Sequence, residues 1–188
     1  MERSRITRGL GISVLFALFV GVVGGWVLSR SPDDTDANPG LPTPGIPVNT
    51  YITGEPFPFV ELRTPGGDPV TISTGELRPM VVNFWFSTCE PCKREMPAFA
   101  AASLEYEGRI NFVGINPNDS GERATAFMED MGVNYPNYLD DGDQLAAAKV
   151  ATMPTTFFLA ADGTIVERSS GEVTAAELAA LLAELAGG

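Results

Sequence analysis

An α/β fold with a mixed sheet is predicted by three observations on this sequence. Two nearly continuous apolar runs, MVVNFWF from Met80 to Phe86 and INFVGI from Ile110 to Ile115, read as strands buried on both faces. Each is followed by a stretch with apolar residues at helical spacing. The chain then closes with a hairpin signal and an amphipathic helix, and strand, helix, strand, helix, hairpin, helix is the order of a layered α/β domain.

Taken from the N-terminus, the first element is an expected membrane anchor. Gly9 to Leu28 carries no charge, and a helix of about 20 residues covers the roughly 30 Å hydrocarbon core of a bilayer. Arg3, Arg5 and Arg8 precede it, while Asp33, Asp34 and Asp36 follow Arg30, so the positive-inside rule keeps the start of the chain in the cytoplasm. The expected organisation is a basic cytoplasmic end (1–8), a single signal anchor in the lipid bilayer (9–29), a Pro-rich linker (30–50) and one globular domain (51–188) on the outer side. A cleaved signal peptide ending near Val23-Gly24-Gly25 is the alternative.

Within the domain, PFPFVEL and PVTIS flank Pro65-Gly66-Gly67-Asp68, which predicts an N-terminal hairpin. The buried strand Met80–Phe86 should lie centrally. Lys93 to Glu107 reads as a helix with Met96, Phe99, Ala100 and Leu104 on its apolar side and a kink at Pro97. Ser120 to Met131 reads as a second helix, capped by Asp119 or Ser120 and closed by Gly132. Thr155–Ala160 and Thr164–Ser169 are joined through Asp162-Gly163, a hairpin turn. Ala175 to Ala186 is a helix opened by a capping box of Thr174 and Glu177.

Composition excludes several classes of chemistry. Twelve basic against 24 acidic side chains give a net charge of -12, which repels phosphate backbones and argues against nucleic acid as a partner. With no histidine, the chain supplies no Ser-His-Asp triad, no Cys-His pair and no His-containing zinc site. The two cysteines are too few for a disulfide scaffold.

Those cysteines stand in Ser87-Thr88-Cys89-Glu90-Pro91-Cys92, where the central strand hands over to a helix. Unpaired amides and the helix dipole there stabilise an anion, so Cys89 is the candidate nucleophile. Cys92, one turn on, can attack the mixed disulfide that Cys89 forms, which makes the pair a reversible two-electron couple. A metal role lacks further ligands, and inert packing gives no reason for a proline between two thiols. No metal and no cofactor is implied.

Asn83-Phe84-Trp85, Cys89-Glu90-Pro91-Cys92, Glu95, Pro97, the Asp119 region and Met153-Pro154-Thr155-Thr156-Phe157 before Asp162-Gly163 resemble, in order and spacing, the thioredoxin superfamily. Within it the chain is similar to the membrane-anchored TlpA/ResA type of thiol-disulfide oxidoreductase. The resemblance covers residues 54 to 186 and implies a thioredoxin-like fold: a central mixed sheet flanked by helices, an N-terminal β-hairpin extension, and an inserted helix and strand over Ser120–Tyr138. It implies that Glu95 exchanges a proton with Cys92, taking over from the buried acid that thioredoxins carry where this chain has Asn83. A solvated Glu95 paired with a neighbouring cation is the plainer reading. It further implies a cis Met153-Pro154 bond beside the cysteines, with Met153, Pro154 and Thr88 at the substrate. Thr88 departs from the tryptophan that most relatives place before the first cysteine. Phe84 and Trp85 are expected in the core.

The helix dipole lowers the Cys89 pKa by about one unit or less, and Glu90 and Glu95 oppose ionisation where Lys93 and Arg94 favour it. That balance suits a reductant of disulfides in exported proteins, re-reduced by a membrane electron conduit. The family's usual client is apocytochrome c. A disulfide oxidase or isomerase would use the same site. A peroxiredoxin-like peroxidase would need a Pro-x-x-x-Thr-x-x-Cys motif, whose threonine position holds Phe86 or Cys89 here.

Overall fold

A computed structural model describes residues 53–72 and 78–187. The basic end, the anchor and the linker expected over residues 1–50 lie outside the described residues, and among the described residues no helix is long and apolar enough to cross a membrane. The strands are β1 (Glu61–Arg63), β2 (Pro69–Thr71), β3 (Met80–Phe84), β4 (Asn111–Asn116), β5 (Asn137–Leu139), β6 (Thr155–Leu159) and β7 (Ile165–Ser170). The helices are α1 (Glu90–Glu105), α2 (Gly121–Asp130), α3 (Asp143–Ala147) and α4 (Ala175–Gly187).

The strands form one mixed sheet in the order β2-β1-β5-β4-β3-β6-β7. β3, β4 and β5 run parallel, joined by α1 and α2, while β6 pairs antiparallel with β3 and β7 with β6. The expected hairpin forms as β1 and β2, and α2 with β5 is the helix and strand expected as an insertion, with β5 antiparallel to β1. Alternation along the strands sorts two cores. Met80, Val82, Phe84, Phe157 and Leu159 join Phe57, Leu62, Ile115 and Ile165 on one face. Val81 and Phe158 face the other way, under Phe99 of α1 and Leu178, Leu182 and Leu185 of α4.

Local chemistry explains the helix ends. Ser120 Oγ accepts from Arg123 N (3.4 Å), so Ser120 rather than Asp119 caps α2. At the other end Gly132 takes a positive φ of 68°, and the amides of Gly132 and Val133 reach back to Glu129 O and Met128 O in a Schellman closure. The capping box of α4 forms as expected, with Thr174 N donating to Glu177 Oε2 (2.9 Å) and Glu177 N to Thr174 Oγ1 (3.3 Å).

Two expectations need correction, and one element was not expected. α1 begins at Glu90 rather than Lys93, because Pro91 fits the first helical turn, where its missing N–H has no partner to lose. Pro97 lies inside the helix, which does not end there. Leu104 is 62% exposed, since the buried side of α1 ends on Phe99, Ala100 and Ala102 and leaves Leu104 in solvent. The short helix α3 was not expected. Asp140 accepts from Gln144 N and Leu145 N (both 2.9 Å), and buried Gln144 bonds Val60 N and Pro58 O, fastening the N-terminal extension to the domain. The extension also pairs with the β6–β7 turn through Gly54 N to Ile165 O (2.8 Å) and Phe57 N to Gly163 O (3.0 Å).

Candidate functional site

β3 ends at Phe84, and the next residues carry the chain to the N-terminus of α1. Trp85 is fully buried, stacked on Phe127 of α2 with ring centroids 5.0 Å apart, and its Nε1 donates to Asn137 Oδ1 (2.8 Å). Gly114 on β4 lies against this pair; a Cβ there would collide with both Asn137 and Trp85. Trp85 and Phe84 are thus core residues, as expected. Ser87 follows, tied by its backbone N (2.6 Å) and its Oγ (2.8 Å) to the carboxylate of Asp119, which also accepts from Asn116 Nδ2 (2.8 Å). Burial pushes the Asp119 pKa up, but the bonds from Asn116 and Ser87 outweigh it and hold the group below the usual carboxylate range. Two residues before the first cysteine, the loop is therefore pinned to the end of β4.

Cys89 is the N-cap of α1 and is disulfide-bonded to Cys92. Its Sγ accepts from Cys92 N at 3.3 Å, so the sulfur occupies the cap position, where the first amides of the helix are unpaired. Both residues are buried, Cys89 with 5% exposure and Cys92 with none, so Cys89 is the one nearer the surface. Thr88 beside it is exposed. The Met153-Pro154 bond is cis. Pro154 is buried, and half-buried Met153 packs on the cluster of Trp85, Cys89, Cys92 and Met96. The sequence-expected site residues Thr88, Cys89, Cys92, Met153 and Pro154 therefore converge on one end of the sheet.

Glu95 belongs to the same helix but points inward. It is 2% exposed, not the solvated surface residue of the plainer reading. Neither neighbouring cation serves it: Lys93 Nζ bonds Glu90 Oε1 (2.7 Å), and Arg94 Nε bonds Glu172 Oε2 (2.9 Å). Glu95 Oε1 accepts from Asn83 Nδ2 and Oε2 from Val173 N, each at 2.9 Å. Its pKa is pushed up to about 7, chiefly by burial, with the Val173 amide and the Asn83 side chain holding it down and the charge of Glu172 adding a smaller upward push. A carboxyl with that pKa can hold or release a proton near neutral pH.

Asp119 as the anchor of Ser87, Thr156 as a partner of Asn83 and the Val173 amide were not expected. The first two are legible only once strand register is known, and a backbone amide leaves no signal in a side-chain pattern. Among the described residues no group of three or more His, Cys, Asp or Glu is placed to hold a metal ion.

The AhpC/TSA family model matches residues 53–168. The chain is 32% identical over 123 residues to the thiol-disulfide oxidoreductase ResA of Bacillus subtilis, covering 64% of this chain and 69% of that one. It is 30% identical over 162 residues to the thiol:disulfide interchange protein HelX of Rhodobacter capsulatus, covering 84% of each. A structure described as a thiol:disulfide interchange protein DsbE from Chlorobium tepidum superposes with a TM-score of 0.66 at 21% identity, over 73% of this chain and all of that one. The fold is thioredoxin-like.

Proposed function

This chain belongs to the AhpC/TSA family and is a thiol-disulfide oxidoreductase of the ResA, HelX and DsbE type; from that premise we propose that it reduces disulfides of exported proteins outside the cytoplasm, with Cys89 and Cys92 as its working dithiol. The observation that carries the reading is the bonded pair at the start of α1, with the first sulfur at the helix cap and Cys89 the less buried of the two.

In the reduced form the Cys89 thiolate attacks one sulfur of a client disulfide, forming a mixed disulfide and releasing one client thiolate. Cys92 gives its proton to the Glu95 carboxylate, and its thiolate attacks Cys89 Sγ, expelling the second client thiolate. Two electrons have then passed to the client, whose two thiolates take protons from solvent; Glu95 holds the Cys92 proton until it too returns it to solvent, and the chain is left as the disulfide seen here. Met153 and the cis Pro154 line the approach and offer backbone for strand-like pairing with a client peptide, with Thr88 on the open side.

Several observations support a reductant over an oxidant. A strong oxidant stabilises its thiolate by several pKa units, and here Lys93 and Arg94 are each paired with an acid. The peroxidase reading still lacks its threonine, since Phe86 stands there. The uncharged stretch over 9–29 supports a single-pass anchor with the domain outside, and the match to HelX is long enough to take in part of residues 1–52. Re-reduction by a membrane electron conduit and apocytochrome c as client complete the reading, in keeping with the relatives' thiol:disulfide interchange chemistry.

Equilibration with glutathione tests the direction of electron flow. A potential closer to thioredoxin's, about -270 mV, is expected, and one near DsbA's, about -120 mV, ends the reductase reading. A Cys92→Ser variant should retain its client as a stable mixed disulfide on Cys89.

A further inference from the structure

Behind the disulfide three polar side chains meet in the interior. Asn83 of β3 and Thr156 of β6 are register partners, and strand alternation turns both toward the helix face, beneath Glu95 of α1. Asn83 Nδ2 donates to Glu95 Oε1 and to Thr156 Oγ1, each at 2.9 Å, which uses both amide protons. Asn83 Oδ1 is buried and has no hydrogen-bond partner among the described residues. Buried carbonyl oxygens are seldom left unpaired.

This orientation suits a carboxylate and fails a carboxylic acid. Once Glu95 Oε1 carries a proton it must donate, and an NH2 group facing it cannot accept. A half-turn of the amide exchanges the two ends, so that Oδ1 accepts from the Glu95 hydroxyl and from the Thr156 hydroxyl. The amide makes two hydrogen bonds to these neighbours in either orientation, so neither protonation state of Glu95 is left without a partner. We propose that Asn83 is a positioning residue that serves Glu95 in both protonation states, turning its amide over each time the carboxyl takes or returns the Cys92 proton. The proposal rests on the reading of Glu95 as the acceptor of that proton.

The other groups that face Glu95 do not offer this exchange. The Val173 amide donates only, and Glu172, next to it, is engaged with Arg94 of α1. Tyr135, before β5, lies within electrostatic reach of Glu95 and directs its hydroxyl to Met96 Sδ (3.2 Å). Cys92 supplies the proton, and Thr156 reaches Glu95 only through Asn83.

The test uses the full chain and a model peptide disulfide. The rate of reduction is followed against pH for the wild type, Asn83→Leu and Glu95→Gln, together with the side-chain amide resonances of 15N-labelled Asn83. Wild type should show a limb near pH 7 that Glu95→Gln removes. Asn83→Leu deletes the hydrogen bond to either form, and because the bond to the carboxylate is the stronger of the two, the limb should move up by about one pH unit, while in the wild type the Asn83 amide signals should titrate with the wild-type midpoint. If Glu95→Gln removes the limb while Asn83→Leu leaves it in place, Asn83 only packs and the proposal is overturned with the Glu95 reading intact. If Glu95→Gln leaves the limb untouched, the Glu95 reading falls and takes the proposal with it. Should Asn83→Leu not fold, the wild-type resonances decide: amide signals constant through the titration overturn the proposal.

Discussion

Two helices of this protein begin in different ways. α4 opens with Thr174 and Glu177 bonding each other's backbone, an arrangement that satisfies the first amides with oxygen. α1 opens with a sulfur, and the contact from Cys92 N to Cys89 Sγ, at 3.3 Å, is the long bond of a poor acceptor. The difference separates a helix start built for stability from one built for chemistry. A cap filled by Ser, Thr or Asp would leave no thiol at the pole where unpaired amides favour a negative charge, and α1 leaves that place to the sulfur proposed to react.

The contrast can be broken most severely at the sulfur. Cys89→Ser should abolish disulfide reduction, while thermal unfolding of the variant should match or exceed that of the reduced wild type, because serine is the stronger cap. A variant that unfolds far more easily than the reduced wild type would mean that the sulfur also holds the helix.

Next comes the carboxyl beneath α1. The Glu95 pKa is raised to about 7 from an ordinary 4.5, so folding disfavours its charged form. The stabilising balance is intact below about pH 4.5 and is lost progressively as pH rises through 7. Glu95→Gln should therefore be more stable than the wild type at pH 8, by about 2 to 3 kcal/mol, and no more stable at pH 4, as chemical denaturation of the two proteins at both pH values would reveal.

The smallest effect belongs to the helix that serves no chemistry. Thr174→Ala should cost about 1 kcal/mol in the same denaturation experiment and leave the rate of disulfide exchange unchanged. A fall in rate would show that the segment carrying Val173 transmits the loss to Glu95.

Much of this architecture was legible because its signals are local. Continuous apolar runs marked β3 and β4, Asp162-Gly163 marked the turn before β7, and Thr174 with Glu177 marked the start of α4. The cysteines and Pro154 were readable because motif and order survive in the linear chain, although the cis bond itself came only with the resemblance. What escaped was set by tertiary contact. α3 is five residues long, too short for periodicity to register, and it is held by Asp140 and buried Gln144 rather than by a cap of its own. Leu104 carries an apolar side chain at the expected spacing, yet no part of the two cores reaches it. The partners of Glu95 come from β3 and from the segment before α4, which only the folded register brings together.

The pairing of Gly54 and Phe57 with the β6–β7 turn fixes where the polypeptide enters its domain. β6 leads from Pro154 beside the cysteines to that turn, five residues and about 16 Å away. The hydrogen bonds that fasten the described N-terminal extension therefore lie a full strand's length from the two sulfurs, and a change in that fastening has no direct contact through which to disturb them.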